Sequence, residues 1–204
     1  MDPRRSLGRP ADVVAPLLLG AVVESGSADG AVAVRLTEVE AYAGEGEDPG
    51  SHAHRGPTRR SAVMFGPAGL AYVFFTYGMH WCLNVVVGPE GQGAAVLLRA
   101  GEVVRGLPLA RVRRPAARSD RELAAGPARL AAALGVDGGQ DGVDLLDPAS
   151  PLRLLGPIGA VDPQQVRCGP RVGLTGAPER PWRFWLDADP TVSRYRPAPR
   201  RTGG

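Results

Sequence analysis

The chain has 204 residues, a formal net charge of +3 and 44% hydrophobic residues, which is enough for one domain with a sizeable core. All 24 of its bases are arginine and none is lysine, so any chemistry that runs through a lysine Schiff base is excluded. Cys82 and Cys168 are too few and too far apart for a disulfide framework or a metal knuckle. No apolar run approaches the roughly 20 residues of a membrane span.

Residues 1–10 read as a flexible basic arm without the apolar stretch of a signal peptide, and a cytoplasmic location is expected. Ala11 to Gly20 predicts a short helix or turn that turns Val13, Val14, Leu17 and Leu18 inward, interrupted by Pro16. Ala31 to Tyr42 predicts a strand. Strict alternation puts Val32, Val34 and Leu36 on one face with Glu38, Glu40 and Tyr42, so an apolar face ends in carboxylates. Ala43 to Arg60 is a Gly/Pro-rich loop too long for a plain connector. Leu70–Tyr77 and Met79–Val87 predict a hairpin around Tyr77-Gly78, and Ala94–Arg99 another strand.

A basic segment follows, with Arg105, Arg111, Arg113, Arg114, Arg118 and Arg121, and Ser119-x-x-Glu122 has the form of a capping box. Gly126-Pro127 opens a helix over Ala128–Leu134 that Gly135 closes. Strands are expected at Leu152–Leu155, Val166–Leu174 and Trp182–Leu186, and residues 197–204 as a disordered tail. With no repeat or linker, residues 11–196 form one α+β domain around an antiparallel sheet.

A carboxylate at the end of a buried strand, such as Glu40, is suited to act as a general base toward water, and equally to sit in a structural salt bridge. Arg99 ends another apolar strand and is a candidate partner for Glu40, with or without catalysis. His52 and His54, with nearby acids, admit a weakly specified metal site. Tyr72, Phe74, Phe75 and Tyr77 alternate along the hairpin, and an exposed aromatic at its tip resembles a wedge for a base stack, while core packing is the alternative. Asn84 among Leu83, Val85, Val86 and Val87 needs hydrogen-bond partners or a recognition role.

Taken together, Thr37-Glu38-Val39-Glu40-Ala41-Tyr42, Ser51-His52, Met64-Phe65-Gly66-Pro67-Ala68-Gly69, Tyr72 to Met79 with Asn84, Val96 to Ala100, Arg121-Glu122-Leu123 with Gly126-Pro127, and Arg171-Val172-Gly173 resemble the alkyladenine (3-methyladenine) DNA glycosylase family. The motifs keep the family's order from about Leu18 to Val192. The resemblance implies a curved antiparallel sheet, flanking helices and a protruding β-hairpin that probes DNA. It implies a monofunctional enzyme of base excision repair, without lysine-dependent lyase activity. Such an enzyme flips alkylated or deaminated purines out of duplex DNA, hydrolyses the N-glycosidic bond and leaves an abasic site.

In this resemblance Glu40 is the general base. Arg99 and the Val172 carbonyl help hold the attacking water. Tyr42, His52 and Phe74 enclose the flipped base, and Asn84 disfavours guanine. Tyr77 intercalates beside Met79. Arg59, Arg60, Arg113 and Gly126 are candidate phosphate contacts. The implied partner is double-stranded DNA containing damaged purines, met by a nucleoid-associated monomer that uses no membrane, no metal and no cofactor. Phe74 stands where the best-known vertebrate members have tyrosine, and the loop from Tyr42 to His52 is one residue longer than theirs. Two rival readings are a non-catalytic damaged-DNA binding module and a metal-dependent hydrolase built on His52, His54 and Glu40.

Overall fold

The computed structural model describes residues 2–156 and 158–198. Its elements are, in order, α1 (Pro3–Leu7), α2 (Ala11–Val14), β1 (Val22–Ser27), β2 (Gly30–Tyr42), β3 (Ala71–Thr76), β4 (His80–Val87), β5 (Ala94–Arg105), α3 (Leu107–Arg113), α4 (Pro127–Leu134), β6 (Leu152–Leu155), β7 (Val166–Gly169) and β8 (Arg183–Leu186), with short 3-10 turns between them. The strands form one antiparallel sheet in the order β3-β4-β5-β2-β1-β6. β2 is long enough to share one edge between two neighbours: Gly30–Arg35 pairs with β1, and Glu38–Glu40 pairs with β8, which also carries β7. The expected α+β architecture is present, with few helices against an eight-stranded sheet.

Alternation sorts the sheet into two faces. Val39 and Ala41 of β2, Leu83, Val85 and Val87 of β4, and Val96 and Leu98 of β5 join α2 and α4 in the main core. The opposite face carries a smaller cluster of Ala53, Met64, Tyr72, Val86 and Ala95. Strict alternation along β2 fails at one point. Leu36 and Val39 are an odd number of residues apart, yet both lie in the main core. The register against β5 shifts between Leu36 and Glu38 and again between Glu38 and Val39. This bulged stretch reverses the parity. Glu38, Glu40 and Tyr42 therefore face away from Val34 and Leu36, not with them. The two backbones come so close here that a Cβ at Gly101 would collide with the Arg35 carbonyl.

Other expectations change on contact with the tertiary structure. The N-terminal segment is no loose arm. Residues 3–7 are helical, Leu7 is fully buried, and Arg4 reaches the Ala68 carbonyl at 2.5 Å and Asp144 at 2.6 Å. Ser119 makes no side-chain capping bond; Glu122 accepts from the Arg118 N–H instead. β7 stops at Gly169, short of Leu174, because the chain turns inward to deliver Arg171 and Val172 to Asp48 and Glu40. β1 escaped prediction for want of apolar residues beyond Val23, although Asp29-Gly30 after it is a hairpin signal. Of the tail expected at 197–204, residues 199–204 lie outside the described residues. Among the described residues no helix is long and apolar enough to cross a membrane.

Candidate active site

The reversed parity of β2 puts the acids on the same face as the polar and aromatic residues of β3, β4 and β5. Glu40 pairs with Leu97, Leu97 with Asn84, and Asn84 with Tyr72, so these four form one row across four strands. Residues opposite one another in an antiparallel pair share a face. Above the Tyr72, Asn84 and Leu97 part of the row is a slot of about 180 Å³; Glu40 lies covered behind it and does not line it. Tyr42, His52, Tyr72 and Phe74 supply its aromatic walls, Asn84 and Leu97 its floor, and Val172 and Gly173 one rim.

Glu40 is fully buried, and its two oxygens receive two hydrogen-bond donors and one ion-pair partner. The Val172 N–H donates to Oε1 at 2.7 Å, the Tyr42 hydroxyl to Oε2 at 2.9 Å, and Arg99 Nη1 lies 3.2 Å from Oε2. Tyr42 lines the slot and directs its hydroxyl to the buried Glu40. Burial, then the Glu40 charge, pushes its phenol well above the ordinary value and keeps it a donor. Val172 thus touches the acid through its N–H, a contact that sequence reasoning had not placed.

Arg99 also donates through Nε to Glu38 at 2.9 Å, and Arg183 Nε reaches the same oxygen at 2.7 Å. The Ser193 N–H and hydroxyl complete the Glu38 shell at 2.6 and 2.9 Å. Burial drives the Glu38 carboxyl up, but Arg99 and Arg183 outweigh it and hold it below the ordinary carboxylate value. Two buried acids and two buried arginines therefore balance in charge. Sequence reasoning named Glu38 without a role and missed Arg183 and Ser193. A charged residue inside Trp182-Arg183-Phe184-Trp185 was the one available signal; Ser193 gave none.

His52 Nδ1 lies 2.9 Å from the Tyr72 hydroxyl, and its ring meets Phe74 edge-on at 4.6 Å. Loss of hydration, helped by the Arg60 charge, lowers the His52 pKa to about 4, so the imidazole is neutral at physiological pH. Asn84 donates to the Tyr72 carbonyl at 2.9 Å and lines the slot floor. His54 does not join His52: its Nδ1 is buried and has no partner among the described residues. Among the described residues no group of three His, Cys, Asp or Glu side chains is arranged to hold a metal, which leaves the metal-hydrolase reading without a ligand set.

The hairpin tip projects beside the slot. Tyr77 is 87% exposed and Met79 68%. Both central residues of the turn have positive φ, 51° at Tyr77 and 66° at Gly78. Gly78 tolerates this freely, whereas Tyr77 stores strain of about 1–2 kcal/mol. Of the other expected DNA contacts, Arg59 is exposed, while Arg60 lies over the Phe74 ring at 5.0 Å and donates to the Phe75 carbonyl at 3.2 Å. Arg113 is committed elsewhere: it caps the end of α4 through the Ala133 and Leu134 carbonyls at 3.2 and 2.7 Å. The Gly126 N–H already donates to Ala124 at 3.1 Å; at this helix start the N–H groups without a partner among the described residues are those of Ala128 and Arg129. They border a cavity shared with Arg99, Val172, Arg194 and Arg196.

A search against protein families matches residues 5–190 to the methylpurine-DNA glycosylase (MPG) family. A relative from Streptomyces avermitilis, named "Putative 3-methyladenine DNA glycosylase", is 56% identical over 98% of this chain and 95% of its own. Relatives of the same name from Nocardia farcinica and Burkholderia lata are 53% and 46% identical over 91% and 94% of this chain, and over 87% and 90% of theirs. With the buried acid, its arginine and the aromatic slot arranged as described, the chain belongs to the methylpurine-DNA glycosylase family.

Proposed function

We propose that the protein is a monofunctional DNA glycosylase that removes alkylated purines, 3-methyladenine among them, and deaminated purines from duplex DNA. The observation that carries this reading is the fully buried Glu40, held by Arg99 and by Tyr42 and the Val172 N–H, two residues that line the aromatic slot.

A base inside a duplex is out of reach, so the nucleotide swings out at a cost of a few kcal/mol. Tyr77 fills the gap, with Met79 beside it in the groove. Tyr42, Phe74 and His52 receive the extruded base, and each stacking contact returns about 1–3 kcal/mol. Asn84 on the floor crowds the exocyclic amine of guanine and selects against it. Methylation at N3 or N7 leaves the purine cationic, which suits an electron-rich aromatic wall. For such a methylated purine, cleavage of the bond from C1′ to N9 sends its electron pair into the cationic ring and releases a neutral base; a deaminated purine, neutral at the start, takes up a proton from solvent as it leaves. Water, oriented by Arg99 and the Val172 carbonyl, gives its proton to Glu40 as its oxygen bonds to C1′. The products are free base and an abasic site. With no lysine amine in the chain, strand cleavage through a lysine imine does not follow. Arg59 and the rim around Arg129, Arg194 and Arg196 meet the phosphates.

The decisive experiment measures base release from duplexes carrying 3-methyladenine, 7-methylguanine, ethenoadenine or hypoxanthine. Release from at least the alkylated duplex is expected. Tight binding without release would make the protein a damage-binding module.

A further inference from the structure

Arg171 stands where three parts of the slot meet. It is 2% exposed and does not line the slot itself. Its Nη1 and Nη2 grip Asp48 at 2.5 and 2.7 Å, and Nη1 also donates to the Ala41 carbonyl at 3.0 Å. Its guanidinium lies 4.6 Å from the Tyr42 ring centroid and 5.3 Å from that of Trp182. The residue after it gives its N–H to Glu40. Asp48 in turn accepts from the Ala43 and Gly50 N–H groups at 3.3 and 3.0 Å, which fixes the loop leading to His52.

We propose that Arg171, with Asp48 as counter-ion, is a positioning residue that registers the Tyr42 wall, the His52 loop and the Val172 contact on Glu40 with one another; this rests on the glycosylase reading above. A buried ion pair is often no more stabilising than apolar residues of its size, so stability alone does not account for the pair. A planar fork does account for it. Only a guanidinium binds a carboxylate through two donors and stacks on an aromatic ring at once. Displacing Tyr42 and the Val172 peptide by about 1 Å would lower the rate about 100-fold.

The test compares wild type, Arg171→Lys and the doubly neutral Asp48→Asn/Arg171→Met variant in single-turnover release, with the active fraction of each preparation titrated. Binding to a duplex carrying an uncleavable abasic-site analogue is measured alongside. In both variants the expected rate per active site falls roughly 30- to 100-fold while binding stays within about threefold, since positioning errors act on the reacting geometry. A merely structural role would lower the active fraction and leave the rate per active site unchanged; that result in either folded variant overturns the proposal. If Arg171→Lys does not fold, the double variant decides. Absence of release by the wild type would sink the glycosylase reading itself, a separate outcome.

Discussion

Replacing Glu40 by Gln perturbs a cluster in which Glu38 and Glu40 balance Arg99 and Arg183. At 3.2 Å and an effective dielectric of about 20, the direct attraction between Arg99 and Glu40 is about 5 kcal/mol. Part of that gain only offsets the dehydration of both groups, so breaking the pair is expected to destabilise the fold by about 3–5 kcal/mol. The amide also turns one acceptor into a donor. Either the Val172 N–H or the Tyr42 hydroxyl then faces an NH2 group, and an unmade buried hydrogen bond adds about 1–3 kcal/mol. For a chain of this size each kcal/mol lowers Tm by about 2–4 °C, so a fall of roughly 8–30 °C is expected. Base release falls further than stability requires, because the proton acceptor for water is gone; a general base is worth about 100- to 10,000-fold. The assay is single-turnover release at 15 °C below the variant's own Tm, with binding to a damaged duplex measured in parallel. Binding retained with release lost is the expected pair of results. Release within tenfold of wild type by a folded Glu40→Gln protein would refute the role assigned to this acid.

Tyr77→Gly relieves the positive φ at the tip and is expected to raise stability by about 1 kcal/mol while weakening extrusion, read as a smaller 2-aminopurine signal beside the lesion. Because the His52 pKa is lowered to about 4, the unfolded chain takes up a proton near 6.5 that the folded protein refuses. Folding stability contributed here is therefore intact above that range and declines as pH falls from 6.5 to 4; urea midpoints of wild type and His52→Gln should converge as pH is lowered. Glu38→Gln removes the anchor of Arg99 Nε and is expected to lower release with little change in duplex affinity, whereas an unchanged rate would confine Glu38 to folding. Duplex affinity should fall steeply with added salt, and Arg59→Ala should reduce the slope of log K against log salt by about 1 if that arginine meets a phosphate.

Much of the site was written into local sequence. Residues that line a strand announce themselves by period, and a hairpin by its turn, so β3 and β4 fell within a residue or two of expectation around Tyr77-Gly78. Glu40, Arg99, Tyr42, Phe74 and Asn84 each sit on a strand, and a strand fixes which face a side chain takes relative to its near neighbours. The lack of lysine and the apolar content likewise followed from the chain alone.

What no local pattern held was the relation between strands. The bulge at Glu38 depends on how β2 meets β5, so strict counting put the acids on the wrong face of the sheet. The counter-ions came from far along the chain: Arg183 reaches Glu38 and Arg171 reaches Asp48 across separations above one hundred residues. Arg113 looked like a free cation and became a helix cap, and a basic N-terminus became a docked helix, because burial and orphan carbonyls claimed them. Composition and periodicity decided what the strands carry; long-range pairing of charges and backbone decided which of those groups share a cavity.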